Sequence, residues 1–132
     1  MKSILMKLSK VKVLEFNKPN RNGRIYLEDC IDLDSPIIKE QLDSKMLLGQ
    51  YGFLDNNELD MTKVSHSVTA LYKENECLYA DIDILNTPAG RQLIENLNES
   101  NFRTRGNGTI NLETGVVVRY SFEGIDYTDY PA

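Results

Sequence analysis

Five segments of this chain carry the apolar–polar pattern of β-strands, and two shorter ones carry the period of a helix. Between residues 3 and 16, Leu5, Val11, Val13 and Phe16 are interspersed with Lys7, Lys10, Lys12 and Glu15, which predicts one or two strands. Residues 62–73 alternate throughout, with Val64, His66, Val68, Ala70 and Tyr72 on one face and Ser65, Ser67, Thr69 and Leu71 on the other. Glu74-Asn75-Glu76 predicts a tight connection, and residues 77–85 the returning strand of a hairpin. Residues 102–112 and 116–122 predict two more strands joined through Glu113-Thr114-Gly115, and the tail beyond them predicts no further element.

The helical segments share one start signal. Ser35-Pro36 and Thr87-Pro88 each place a hydroxyl residue at the N-cap and a proline at the first helical position, where a missing N–H costs nothing. Ile37, Ile38, Leu42 and Met46 form the apolar stripe of the first helix, and Leu93, Ile94 and Leu97 that of the second. Residues 17–23, rich in Asn, Pro and Gly, and the acidic residues 49–60 predict loops. The sequence has no internal repeat and no low-complexity segment. Strands, helix, hairpin, helix and strands, in that order, predict an α+β domain on a mostly antiparallel sheet or small barrel.

Composition bounds the function. A chain of 132 residues, 41% apolar, has room for one domain spanning residues 1–132 with a real core. Its net charge of −5 and scattered basic residues (Arg21/Arg24 and Arg103/Arg105 apart) argue against direct nucleic-acid binding and for protein partners. Cys30 and Cys77 have no C-x-x-C spacing; their number allows a disulfide, but buried free thiols are the expectation without a secretion signal. The opening MKSILMKLSKVKV is too polar for such a signal, and no run approaches the ~20 apolar residues of a membrane helix. The expectation is a chain made in the cytoplasm that takes no membrane, cofactor or metal. Tryptophan is absent, and His66 is the single histidine.

Several short motifs follow one another in order. They are Asn20-Arg21-Asn22-Gly23-Arg24-Ile25-Tyr26, Val64-Ser65-His66, Asp83-Ile84-Leu85-Asn86-Thr87-Pro88-Ala89-Gly90, Arg105-Gly106-x-Gly108, and Gly124-Ile125-Asp126 with Pro131. This series resembles the prohead (capsid maturation) proteases of tailed phages, which cleave scaffold and capsid proteins inside an immature head. The resemblance implies a herpesvirus-assemblin-like β-barrel with about two flanking helices. It also marks two departures. Where the family carries a general-base histidine, Gly49-Gln50-Tyr51-Gly52-Phe53 offers Phe53; where it carries Ser-Ser before Arg-Gly, Arg103-Thr104 stands.

Both departures fall on the chemistry. Phenylalanine accepts no proton. The β-methyl of Thr104 restricts its rotamers, and threonine nucleophiles usually take an N-terminal amine as base, which an internal Thr104 lacks. The resemblance thus implies a catalytically silent relative, an auxiliary or decoration protein of the virion capsid, with the major capsid protein or another head protein as partner. Arg103 and Arg105, on one strand face, together with Tyr120, Tyr127 and Tyr130, are its candidate contacts. The arginines would meet a partner's carboxylate or make surface ion pairs, and the tyrosines fit an interface and an ordinary sheet edge equally. In the family, the arginine before the glycine helps to organise the oxyanion region.

The alternative is an active serine/threonine-type capsid-maturation protease. Thr104 or a nearby serine would be its nucleophile, His66 its base and Asp126 the orienting acid. A third reading sets the resemblance aside and leaves a small regulator that binds another protein. For His66 the plainer expectation is a half-buried imidazole bonded to a neighbouring strand or carboxylate. Asp81 and Asp83, with Glu76, have the look of a solvated acidic face rather than a metal site. Gly106 and Gly108 predict a bulge or a close backbone approach; no helix follows them, which argues against a phosphate loop.

Overall fold

The computed structural model describes residues 3–20, 23–52 and 61–128. Arg21, Phe53, Tyr130 and Pro131, singled out above, lie outside the described residues.

The alternating segments form strands. β1 (Ile4–Glu15), β5 (Cys77–Leu85), β4 (Val64–Glu74) and β3 (Leu48–Gln50) make a four-stranded antiparallel sheet in that spatial order. β2 (Ile25–Tyr26), β7 (Val116–Tyr127) and β6 (Phe102–Ile110) make a second sheet, antiparallel between β6 and β7 and parallel between β2 and β7. β3 lies against β7, with Tyr51 bridging to Tyr127, and β6 packs on β1, so the two sheets enclose one core. Val11, Phe16, Val68, Leu78, Ile82, Ile84, Phe102 and Ile125 are buried there. Helices α1 (Pro36–Asp43) and α2 (Pro88–Glu95) flank the sheets. This is the α+β, mostly antiparallel architecture that the pattern predicts.

The β4–β5 hairpin turns through Asn75 (φ 52°) and Glu76 (φ 62°), both left-handed, the geometry of a two-residue turn whose twist matches its strands. The amide of Phe16 donates to the carbonyl of Glu76 at 2.8 Å and pins the turn to the end of β1. β1 is one strand, bent by a bulge at Lys10 (φ 53°), whose N–H donates to Asp81 Oδ1 at 3.0 Å. The same oxygen accepts from the Tyr72 hydroxyl at 3.1 Å, so Asp81 serves to fix this bulge.

Four expectations are corrected. The register slips between Val68 and Ala70, so Leu71 faces the core opposite Ala80, while Ala70 and Tyr72 turn away from the face of Val64, His66 and Val68. Residues 48–50, at the edge of the predicted acidic loop, form β3, because their backbone finds partners on β4. β7 runs through the predicted tail as far as Tyr127. In α1, Ile38 and Leu42 reach the core, whereas Ile37 is 68% exposed and Met46, beyond the helix end, is 59% exposed.

The two helix starts also differ. Thr87 Oγ1 accepts from the Gly90 N–H at 2.9 Å and donates to the Val64 carbonyl at 2.7 Å. Ser35 holds the N-cap position of α1 but makes no side-chain capping bond. Cys30 and Cys77 are free thiols.

Candidate functional site

The residues marked out in the sequence converge where β3 and β4 of the first sheet meet β6 and β7 of the second. His66, on the core face of β4, is fully buried. Its Nε2 lies 2.7 Å from the carbonyl oxygen of Ile125 and its Nδ1 2.7 Å from Ser65 Oγ. A carbonyl only accepts, so Nε2 carries the proton and Nδ1 accepts from the serine hydroxyl. The ring of Phe102 stands edge-on at 5.2 Å. Burial pushes the imidazole down to about 4; the bond to Ile125 opposes that shift, and the charge of Arg105 adds to it. At neutral pH His66 is therefore uncharged, with both nitrogens engaged.

The approach of β3 to β7 requires the glycine at position 49. A Cβ there would collide with the Ile125 carbonyl oxygen and with His66 Nε2. One residue on, the Gln50 N–H donates to Asp126 Oδ1 at 3.1 Å. Asp126 Oδ2 accepts from Arg105 Nε at 2.7 Å, and Arg105 Nη2 reaches the Leu48 carbonyl at 3.2 Å. Only 10% of the Arg105 side chain and 9% of that of Asp126 are exposed, so this ion pair is an interior one. Burial raises the carboxyl of Asp126 above its ordinary value, while the guanidinium and the Gln50 N–H pull it back. Arg105 crosses β7 over Gly124, where a Cβ would press on the guanidinium. Arg105 is thus an interior residue, and the surface ion pairing expected of it is corrected.

Thr104 lies on β6 opposite Ile125 and is partly exposed. Burial pushes the ionisation of the nearby Tyr120 phenol up. Tyr120 stands edge-on to Tyr26 at 5.2 Å. Arg103 shares the face of Arg105, and its Nε donates to the Thr128 carbonyl at 3.3 Å. Tyr127 is 5% exposed; its hydroxyl donates to the Asn96 carbonyl at 2.6 Å and accepts from the Asn98 N–H at 2.8 Å. Stacked on Tyr51 and edge-on to Phe102, it belongs to the core, which corrects its assignment as a partner contact. Gly106 sits at a register shift of β6, where a Cβ would strike the Ser121 carbonyl, so the expected bulge and close approach coincide.

A hydroxyl–imidazole–carboxylate relay needs the free imidazole nitrogen on the nucleophile and the N–H on the carboxylate. Here the N–H of His66 points to a backbone carbonyl, and the carboxylate of Asp126 points to Arg105. The hydroxyl on the imidazole belongs to Ser65, which is itself fully buried. The arrangement fastens β4 to β7 through a neutral histidine and β3 to β6 and β7 through a buried ion pair. Ser65, Gly49 and Gln50 are the members to which the sequence assigned no role; all three stood in quoted segments, but nothing local marked their contacts. Among the described residues no three His, Cys, Asp or Glu side chains cluster to hold a metal ion.

No protein-family model and no curated protein sequence matches the chain. The solved structure of the bacteriophage T4 capsid assembly protease is similar to it, with a TM-score of 0.72 and 16% identity, covering 97% of this chain and 93% of that one. At that identity the likeness is one of fold, and the chain has the α+β, mostly antiparallel fold of a prohead protease.

Proposed function

We propose that this chain is a non-catalytic protein of a phage head. It keeps a prohead-protease-like domain as an auxiliary or decoration module on the virion capsid and binds the major capsid protein or another head protein. The fold likeness to a capsid assembly protease supports the association with a head. The absence of catalysis rests on one observation: the only histidine has both ring nitrogens bonded inside a fully buried clasp. A base that cannot reach a substrate hydroxyl forfeits several orders of magnitude in rate. Thr104, at the position of the family's nucleophile segment, is not bonded to His66, whose two nitrogens are taken by Ser65 and Ile125.

The test is quantitative mass spectrometry of purified mature virions, paired with fluorophosphonate labelling of the isolated protein. The expected result is an intact chain at a fixed ratio to the major capsid protein, with no label incorporated. An absent or fragmented chain beside a trimmed capsid protein, with labelling lost in Thr104→Ala, would instead establish an active protease. That protease would use Thr104, His66 and Asp126 and would have to rearrange the clasp.

A further inference from the structure

β7 is paired with β6 from Val117 to Tyr127, with bulges at Val118 and Glu123, and its other edge is only partly occupied. β2 covers Val116 and Val117, and β3 comes alongside at the far end, where Tyr51 bridges to Tyr127. Among the described residues no strand pairs with residues 118–123 on that side. An unpaired strand edge is a template for another extended chain.

A groove of about 650 Å³ follows this edge. Tyr120, Ser121, Phe122 and Glu123 all line it. A bulge at Glu123 breaks the alternation of β7 side chains and brings Glu123 to the groove beside Phe122. Ile37 and Met46, both well exposed, form part of the opposite wall, with Leu48 also lining the groove and the short 3₁₀ turn Glu28–Cys30 at one side.

The charge of the groove selects an occupant. Asp29, Asp32 and Glu123 line it, and Arg105, which also borders it, is committed to Asp126 and the Leu48 carbonyl. Glu123 Oε2 is shielded from solvent and has no hydrogen-bond donor among the described residues. A shielded carboxylate oxygen without a donor is costly, and an N–H or ammonium from a ligand would remove that cost.

We propose that an extended peptide segment of a partner protein adds as a strand to the open edge of β7, with apolar side chains against Ile37 and Met46 and a lysine or arginine on Glu123. This deepens the binding role proposed above and rests on it, by placing the contact and stating its chemistry.

The probe is a short fluorescein-labelled peptide alternating valine and threonine around a central lysine. Its controls are the same peptide with glutamate for lysine, and one N-methylated on the amides that would face β7. Anisotropy and amide chemical shifts of the full chain are the readouts. The lysine peptide is expected to shift the amides of Ser121, Glu123 and Met46 and to bind about tenfold more tightly than the glutamate peptide. N-methylation is expected to abolish binding, and Glu123→Gln to remove most of the preference for lysine while leaving the thermal midpoint near that of the parent. Absence of shifts at millimolar peptide, equal binding of the lysine and glutamate peptides, or shifts on another surface would overturn the proposal. The two readings fail separately. A chain present in virions that fails these tests keeps its head role and loses the groove; a chain that binds the peptide but is absent from virions keeps the groove and loses the head role.

Discussion

At the scale of single residues, the junction of β3 with β7 couples stability to pH and to charge pairing. His66 titrates near 4 in the folded chain, against about 6.5 when unfolded, because burial disfavours the imidazolium. Between those values the unfolded chain binds more protons, so stability is complete above pH 6.5 and declines as pH falls towards 4. The loss over that window approaches ~3 kcal/mol. Asp126 works in the opposite sense: its raised carboxyl holds its proton longer when folded, so its share of stability falls as pH rises through that shifted range. Urea midpoints between pH 7 and 4 are expected to drop for the parent and to flatten for His66→Gln, with the residual slope taking the sign set by Asp126. An unchanged slope in the variant would mean that other groups carry the acid sensitivity. The ion pair yields a second expectation. Arg105→Met strands a carboxylate with 9% exposure and should cost about 3–5 kcal/mol in denaturant unfolding. Arg105→Met with Asp126→Leu removes both charges and should recover most of that loss. If single and double variants are equally destabilised, shape rather than charge holds the junction.

At the scale of elements, the two helices test what a cap contributes. Thr87 satisfies the Gly90 N–H and reaches the Val64 carbonyl on β4, so its hydroxyl serves both the helix start and the docking of α2. Thr87→Ala should cost about 1–2 kcal/mol, whereas Ser35→Ala, which removes no capping bond, should cost a few tenths; thermal midpoints of the two variants check the contrast. The same pair shows what was legible in the sequence. Hydroxyl–proline dipeptides located both helices, since that signal is local, but they could not distinguish a working cap from an idle one. Strict alternation located the β4–β5 hairpin, yet a bulge after Val68 adds one residue and reverses the phase, which a period of two cannot register. β3 was hidden because three residues around a glycine carry no pattern; its strand character comes from partners on β4. His66, Arg105 and Asp126 stood in recognisable motifs. Their bonds to Ile125, Leu48 and Gln50 join positions 59, 57 and 76 residues apart, and only the folded chain brings those positions together.

At the scale of the whole molecule, two sheets of unequal strength are joined by few polar bonds. β5 lies between β1 and β4, and Leu78, Ala80, Ile82 and Ile84 along it are fully buried. β7 owes its contact with the larger sheet to the meeting with β3, where the carbonyl of Ile125, the carboxylate of Asp126 and the bare Cα of Gly49 fit against one another. If that junction makes the domain one cooperative unit, amides of β5 and of β6–β7 should exchange with deuterium at the same limiting free energy. Gly49→Ala would push a methyl group into a backbone carbonyl and an imidazole, an overpacking that costs about 1–3 kcal/mol. The strain falls on the junction alone, so β6 and β7 are expected to lose protection in this variant while β4 and β5 keep most of theirs. Uniform loss across all strands would show instead that the shared apolar core, with Phe102 and Ile125 packed against the larger sheet, binds the two sheets without help from the junction. The distinction bears on function. On the proposed non-catalytic reading, the buried histidine and the buried ion pair serve to fix the relative position of the two sheets, and with it the open edge of β7 that a partner would meet.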